Sequence, residues 1–290
     1  MARGLLKASV MTTTTASTWI LGLDLGDRSR GALCFADWFA GPEHTIAVHV
    51  VEMWSRPYIH AEPSVAVQEA LQRISSELHV SPPTRISVLD AGSAEEGLAR
   101  ASEGAAGLII GRAARRLEET PWALGRVARR ILRRLPCPVV VVPRDLAEVG
   151  PGPVILATAL DGSSDAAVGF ARDVAAKHGR ELMVVHVNEA RFSGLIDDRD
   201  PLWRRACEVY REDLVTALRA WMTRHALSGP ARVVDGSVVD ELQTLAVTVQ
   251  AALVVVGSRR LGAAGRIFLG STASTLAGGA ACPIAVVAPA

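Results

Sequence analysis

Trp19-Ile-Leu-Gly-Leu-Asp24 returns later in the chain as Val154-Ile-Leu-Ala-Thr-Ala-Leu-Asp161. Each is a short apolar run that stops at a carboxylate. Reading outward, Ala47-Val-His-Val-Val-Glu52 is matched by Val184-Val-His-Val-Asn-Glu189, and Asp24 and His49 are as far apart as Asp161 and His186. Asp90-Ala-Gly-Ser93 pairs with Val234-Asp-Gly-Ser237, and Gly107-Leu-Ile-Ile-Gly111 with Leu253-Val-Val-Val-Gly257. Cys137-Pro-Val-Val-Val-Val-Pro143 closes the first series, and Cys282-Pro-Ile-Ala-Val-Val-Ala-Pro289 closes the second. Six landmarks in one order identify two copies of one unit. The later partners drift further apart, which predicts a longer middle in the second copy, around Phe192 to Arg211.

Within each copy the apolar runs predict strands. They are Ile20–Leu23, Ile46–Val51, Ile86–Leu89, Leu108–Ile110 and Val139–Val142, then Val154–Leu160, Leu182–Val187, Ala231–Val234, Leu253–Val256 and Ile284–Val287. Runs that are apolar at successive positions suit strands covered on both faces by helices. Ala166–His178 and Leu202–Ala226 read as amphipathic helices between them. The alternation predicts an α/β fold: two tandem Rossmann-like open five-stranded parallel sheets flanked by helices. The expected organisation is a loose tail at 1–16, a first domain at 17–147 and a second at 152–290. Arg144–Gly152, with Gly150-Pro151-Gly152, is the linker.

The bulk numbers agree. A chain of 290 residues suits about two domains. Hydrophobic residues make up 49% and charged residues 21%, which excludes a mainly disordered chain. A net charge of +1 gives no field to steer the protein to nucleic acid or membrane, and no run approaches the ~18 apolar residues of a membrane helix. Cys34, Cys137, Cys207 and Cys282 form no CxxC pair, which fits a reducing cytoplasm better than a disulfide framework or a zinc site. Cys137 and Cys282, each before a proline, are expected to pack as small hydrophobes.

In such sheets ligands bind beyond the carboxyl ends of the strands, where the strand order reverses. In the second copy those positions hold Ala159-Leu160-Asp161, Val187, Val256-Gly257 and the loop that follows. The loop runs Gly257-Ser-Arg259-Arg260-Leu-Gly262-Ala-Ala-Gly265-Arg266-Ile-Phe-Leu-Gly270-Ser271-Thr272. Glycines let backbone amides approach a ligand, and a helix opening on Gly270-Ser271-Thr272 suits phosphate. Arg259, Arg260 and Arg266 add positive charge.

Together, the strand-end Asp, the His-Val strand end, the Gly-rich loop ending in Gly-Ser and the final Cys-Pro strand resemble the universal stress protein family. The resemblance spans both copies. ATP-binding members carry Gly, two residues, Gly, nine residues, then Gly-Ser/Thr. Gly257 and Gly270-Ser271 match the outer places, Arg260 stands at the inner glycine, and Gly262 is its nearest substitute. The resemblance implies that ATP, or a related adenine nucleotide with Mg²⁺, contacts Asp161 through its ribose and Val187 through its adenine, with phosphates on Gly270, Ser271 and Thr272. It also implies pairing through the last strand, as a homodimer or an intrachain pseudo-dimer, and a regulatory protein partner.

Other readings of the loop stand beside this one. Gly265 to Thr272 spells GxxxxGST, a P-loop without its lysine. No GxGxxG follows the first strand, and the loop can also serve only to close a strand-to-helix connection. The first copy keeps Asp24, Val50 and Gly111, but Ala114 stands at the inner glycine, and Arg126 follows Gly125 where the helix-start hydroxyl belongs. Glu118-Glu119 opposes polyphosphate by like charge, so this site is expected to be weaker or altered.

No P-loop lysine, water-activating base or triad is legible, so little or no hydrolysis is expected. Asp165 is the one extra acid candidate, and His49 and His186 read as hydrogen-bonded core. The helix Arg126–Leu135 puts Val127, Ile131 and Leu135 on one stripe, with arginines over a solvated face or a docking surface for an acidic partner. The expected function is a stress-response regulator that binds adenine nucleotide. Its alternatives are a nucleotide-free interaction scaffold and a slow ATPase or other adenylate-handling enzyme.

Overall fold

The computed structural model describes residues 17–26, 28–59, 62–112, 124–189, 201–260, 267–268 and 271–288, with backbone only at 259, 260, 267, 268 and 271. The expected tail lies outside the described residues. The first copy runs β1 (Trp19–Leu23), α1 (Ser29–Phe39), β2 (Thr45–Glu52), α2 (Pro63–Leu78), β3 (Arg85–Ala91), α3 (Ala94–Ala101), β4 (Gly107–Gly111), α4 (Arg126–Arg134) and β5 (Val139–Val142). The second runs β6 (Val154–Ala157), α5 (Asp165–Lys177), β7 (Leu182–Asn188), α6 (Pro201–Arg224), β8 (Ala231–Asp235), α7 (Val238–Thr248), β9 (Leu253–Gly257), a two-strand hairpin β10 (Arg259–Arg260) and β11 (Ile267–Phe268), α8 (Ser271–Gly279) and β12 (Ile284–Val287).

Each copy is a five-stranded parallel sheet with its switch point between the first and fourth strands. The two sheets are joined into one of ten strands, ordered β3-β2-β1-β4-β5-β12-β9-β6-β7-β8. The join is the antiparallel pair β5–β12, with Ile284 opposite Val141, Ala285 opposite Val140 and Val286 opposite Val139. Two open edges thereby satisfy each other's N–H and C=O groups, which would otherwise template foreign pairing. The expected pseudo-dimer is thus built within one chain.

Alternate strand residues feed two cores. Leu21, Ile109, Val140, Leu156 and Val255 face α1, α2, α5 and α6. Ile20, Leu108, Val141, Ile155 and Val254 face α3, α4, α7 and α8. This two-sided burial is why the runs read as apolar at successive positions. Each fully buried Leu or Ile contributes about 1.5–3 kcal/mol. Across the join, α1 meets α5: Phe39, edge-on to Trp19 of its own copy at 4.7 Å, lies tilted to Phe170 at 6.4 Å, and Trp38 stacks on His178 at 4.0 Å. Lys177 Nζ donates to the Phe39 carbonyl at 2.6 Å, tying the two helix ends together.

Two sequence expectations are corrected. The strand expected at Val154–Leu160 ends at Ala157. The Thr158 N–H still reaches the Val185 carbonyl at 2.9 Å, but Leu160 sits at φ 61°, which breaks extension. On α4, Ala128, Ile131 and Leu132 are buried, with Leu135 just beyond, while Val127 is only half-buried, so the core stripe is rotated from the expected one. The linker is docked at both ends: the Gly152 N–H donates to the Gln250 carbonyl at 2.9 Å, and the Arg144 carbonyl accepts from Gly31 at 3.2 Å. The longer middle of the second copy is partly visible as α6, with 24 residues against 16 in α2.

Candidate functional site

Each copy carries a cleft beyond the carboxyl ends of its first and fourth strands, at the switch point. The two clefts share a glycine device. A Cβ on Gly111 would lie 2.0 Å from the Arg28 carbonyl oxygen, and one on Gly257 would lie 2.3 Å from the Ser163 carbonyl oxygen. Only glycine lets the fourth strand pass that close to the turn before the first helix.

The second cleft measures about 500 Å³, within the range of small-molecule sites. Its floor is Ala157, Thr158 and Ala159 beside Val256, Gly257 and Ser258. One end is closed by Ser163 and Ser164 and by Thr272 and Ala273 in the first turn of α8. The other end is formed by His186, Val187, Asn188 and Glu189 after β7, with Tyr210 of α6 and Val238 of α7. His186 is half-buried, with Nδ1 held 2.9 Å from the Thr158 carbonyl, matching the expected core histidine although it also borders the cleft. Ser258 is 2% exposed, and its hydroxyl has no hydrogen-bond partner among the described residues.

Of the second-copy candidates, Ala159, Val187, Val256, Gly257 and Thr272 line the cleft. Leu160 and Asp161 are not among its lining residues. The strand register explains why. Trp19 pairs with Thr45 and Gly107, whereas Val154 pairs with Leu182 and Leu253. The structural partner of Asp24 is therefore Ala159, two residues before Asp161, and Leu25 and Leu160 share φ 61°. The equal spacing to the two histidines conceals a two-residue slip, absorbed by a longer α5. Asp161 Oδ1 instead accepts from the Ser163 N–H at 3.0 Å and from its hydroxyl, shaping the turn that leads into α5. Asp165 opens α5 and lies 3.4 Å from His225 Nε2, outside the cleft lining. Arg259 and Arg260 lie on β10, paired with Phe268 and Ile267. The Ser271 backbone opens α8. Gly262, Gly265, Arg266 and Gly270 lie outside the described residues.

The first cleft is smaller, about 270 Å³, and is lined by Asp24, Arg28, Ser29, Gly111, Gly125 and Arg126 together with apolar residues of α3 and α4. Asp24 Oδ1 accepts from the Gly26 N–H at 3.0 Å and from the Ser29 hydroxyl at 2.9 Å. Val50 turns into the core toward α3 rather than into the cleft. Ala114 and Glu118-Glu119 lie outside the described residues. Just past Gly111, Arg112 leaves its own copy. Its guanidinium donates to the Gly278 and Ala280 carbonyls at the end of α8, the latter at 2.8 Å. That caps a helix C-terminus with a cation, which the helix dipole favours.

Cys137 and Cys282 act as packing groups. Burial pushes the Cys137 thiol up to about 11 and the Cys282 thiol up to about 12. No group of metal-ligating side chains is present among the described residues, and none of the helices described is long and apolar enough to cross a membrane.

Thr158, Ser163, Asn188, Tyr210 and Ser258 also line the second cleft, and no sequence motif singles them out. Thr158 reads as mid-strand, and Tyr210 sits on a helix whose placement no local pattern gives. Ser163 and Ser258 are legible as neighbours of Asp161 and Gly257.

Residues 18–143 and 152–288 each match the Universal stress protein family. A Thermus aquaticus protein described as "Universal stress protein in QAH/OAS sulfhydrylase 3′ region" is 32% identical over 135 residues, which is 44% of this chain and 94% of that protein. Among solved structures, a universal stress protein from Archaeoglobus fulgidus DSM 4304 aligns over 94% of this chain and 98% of its own at 18% identity, with a TM-score of 0.61. A putative universal stress protein from Pseudomonas aeruginosa UCBPP-PA14 aligns over 93% of each chain at 18% identity, with a TM-score of 0.63. These likenesses show the fold.

Proposed function

This chain belongs to the universal stress protein family in tandem form, and from that premise we propose that it is a stress-response regulator that binds ATP or a related adenine nucleotide in its second cleft. The observation that supports this reading is the cleft of about 500 Å³ at the switch point, with hydroxyls of Ser163, Ser164 and Thr272 gathered at one end. The first turn of a helix carries exposed N–H groups and a positive dipole end, so α8 offers phosphate a seat there, with Mg²⁺ carried on the nucleotide. Binding would shift the protein between states that a regulatory protein partner tells apart. Little or no hydrolysis accompanies binding, because the acid candidate Asp165 is turned to His225. The protein works in the cytoplasm, as two domains at 17–147 and 152–290.

The test is calorimetric titration of the full chain with ATP and Mg²⁺, beside Thr272→Asp and Asp24→Ala. One site per chain is expected, lost in Thr272→Asp by like-charge repulsion and kept in Asp24→Ala. Absence of heat, with no nucleotide carried through purification, sinks the reading. It would favour the interaction scaffold, whose own support is the hairpin into which Arg259 and Arg260 are drawn.

A further inference from the structure

The two ends of the second cleft differ in chemistry, and that difference orients any nucleotide in it. At the α8 end stand hydroxyls and a helix N-terminus. At the other end the start of α7 already carries carboxylates: the exposed Glu189 accepts from the Val238 N–H at 3.5 Å, and Asp240 and Glu241 stand in the first turn. A phosphate is repelled from a carboxylate and drawn to the start of α8, so the uncharged base faces the Glu189 end. The aromatic wall there is Tyr210, 47% exposed at the cleft rim.

The stretch of α6 that carries Tyr210 is anchored through the next residue. Arg211 Nη1 pairs with Asp235 Oδ2 at 2.6 Å, and Nη2 donates to the Val233 carbonyl at 3.1 Å. Asn188 Nδ2 donates to the other oxygen of Asp235 at 2.8 Å. One carboxylate thus bolts α6 to the ends of β7 and β8, and the ring next to Arg211 is presented to the cleft at little further cost in order. Among the described residues, no aromatic side chain lines the first cleft.

We propose that Tyr210 is the base-stacking residue of the second cleft, binding the flat face of a purine while the phosphates lie toward Thr272. This rests on the nucleotide reading above and adds to it a residue that the sequence motifs do not single out. Stacking on an aromatic ring is worth about tenfold or more in affinity.

The experiment titrates the full chain, Tyr210→Ala and Tyr210→Phe with Mg-ATP and, separately, with Mg-tripolyphosphate, which has no base. The expected result is a weakening of ATP binding by about tenfold or more in Tyr210→Ala, nearly unchanged ATP binding in Tyr210→Phe, and equal tripolyphosphate binding in all three. ATP binding that survives Tyr210→Ala undiminished overturns this inference and leaves the nucleotide reading standing. Equal losses for ATP and tripolyphosphate overturn it too, because Tyr210 would then act through the shape of the cleft. No binding of ATP to the unaltered chain overturns both.

Discussion

The two clefts are built on one scaffold and equipped differently. Both have a glycine at the end of the fourth strand, pressed against a carbonyl of the first turn. The next residue separates them. Arg112 leaves the first cleft to hold the end of α8 in the other copy, whereas Ser258 stays beside the second cleft with an unpartnered hydroxyl among the described residues. The strand-end position separates them as well, with Asp24 in one and Ala159 in the other. Duplication preserved the sheet, where a change disturbs two cores at once. It let the loops diverge, one cleft toward an inter-copy contact and the other toward open volume.

The comparison breaks most severely at its shared element. Gly257→Val and Gly111→Val each push a side chain into a carbonyl, and each is expected to cost at least ~1–3 kcal/mol of stability by urea unfolding. Only Gly257→Val should also remove nucleotide binding; loss of binding in both would mean the clefts are coupled or alike.

An effect on stability alone, unlike in the two copies, is expected one residue on. Arg112→Ala leaves the Gly278 and Ala280 carbonyls without their charged donor and should cost about 1.5–3 kcal/mol. Ser258→Ala deletes a buried hydroxyl without a partner and should be neutral or slightly stabilising in the absence of ligand. Thermal unfolding of both variants tests this, and equal losses would remove the asymmetry.

The contact between the copies carries a pH dependence. Burial, with Lys177 beside it, holds the His178 imidazole below its ordinary range, against the opposing effect of the hydrogen bond it donates to the Phe39 backbone carbonyl. The native state therefore keeps His178 neutral where the unfolded chain already binds a proton. Its contribution is present above about pH 6.5 and is lost as pH falls from there through the lowered native value, at no more than ~1.4 kcal/mol per pH unit. Denaturation at pH 7.5 and pH 5 should show a smaller drop in His178→Phe than in the unaltered chain.

The smallest expected difference is chemical. Cys137 and Cys282 hold equivalent places with thiols raised to about 11 and about 12, so both should resist alkylation at neutral pH, while the half-buried Cys207 on α6 reacts first. Mass mapping after brief alkylation distinguishes the three.

The sequence misleads at a local coincidence. Asp161 looks equivalent to Asp24 because each is followed by a histidine at the same distance. The pairing of Val154 with Leu182 and Leu253 shows otherwise. Spacing along a chain counts residues without saying whether they lie in a strand, a turn or a helix end, so a carboxylate that stands two residues later and a first helix of 13 rather than 11 residues cancel unseen. Tyr210 is hidden for a related reason: its nearness to Val187 depends on how α6 crosses the sheet, and the Arg211–Asp235 contact that fixes it joins residues far apart in sequence.

The duplication, the α/β alternation, the glycines that end the fourth strands and the Cys-Pro entries to the last ones are legible along the chain. All of these are written in short-range patterns of burial and turn chemistry. It takes the folded chain to join the two sheets into one, to dock the linker, to bring Arg112 to the other copy and to put Ala159 rather than Asp161 in the strand-end place. Those features depend on edge pairing, strand register and contacts between distant residues. Their energies arise when the surfaces meet, and no local stretch of the chain records them.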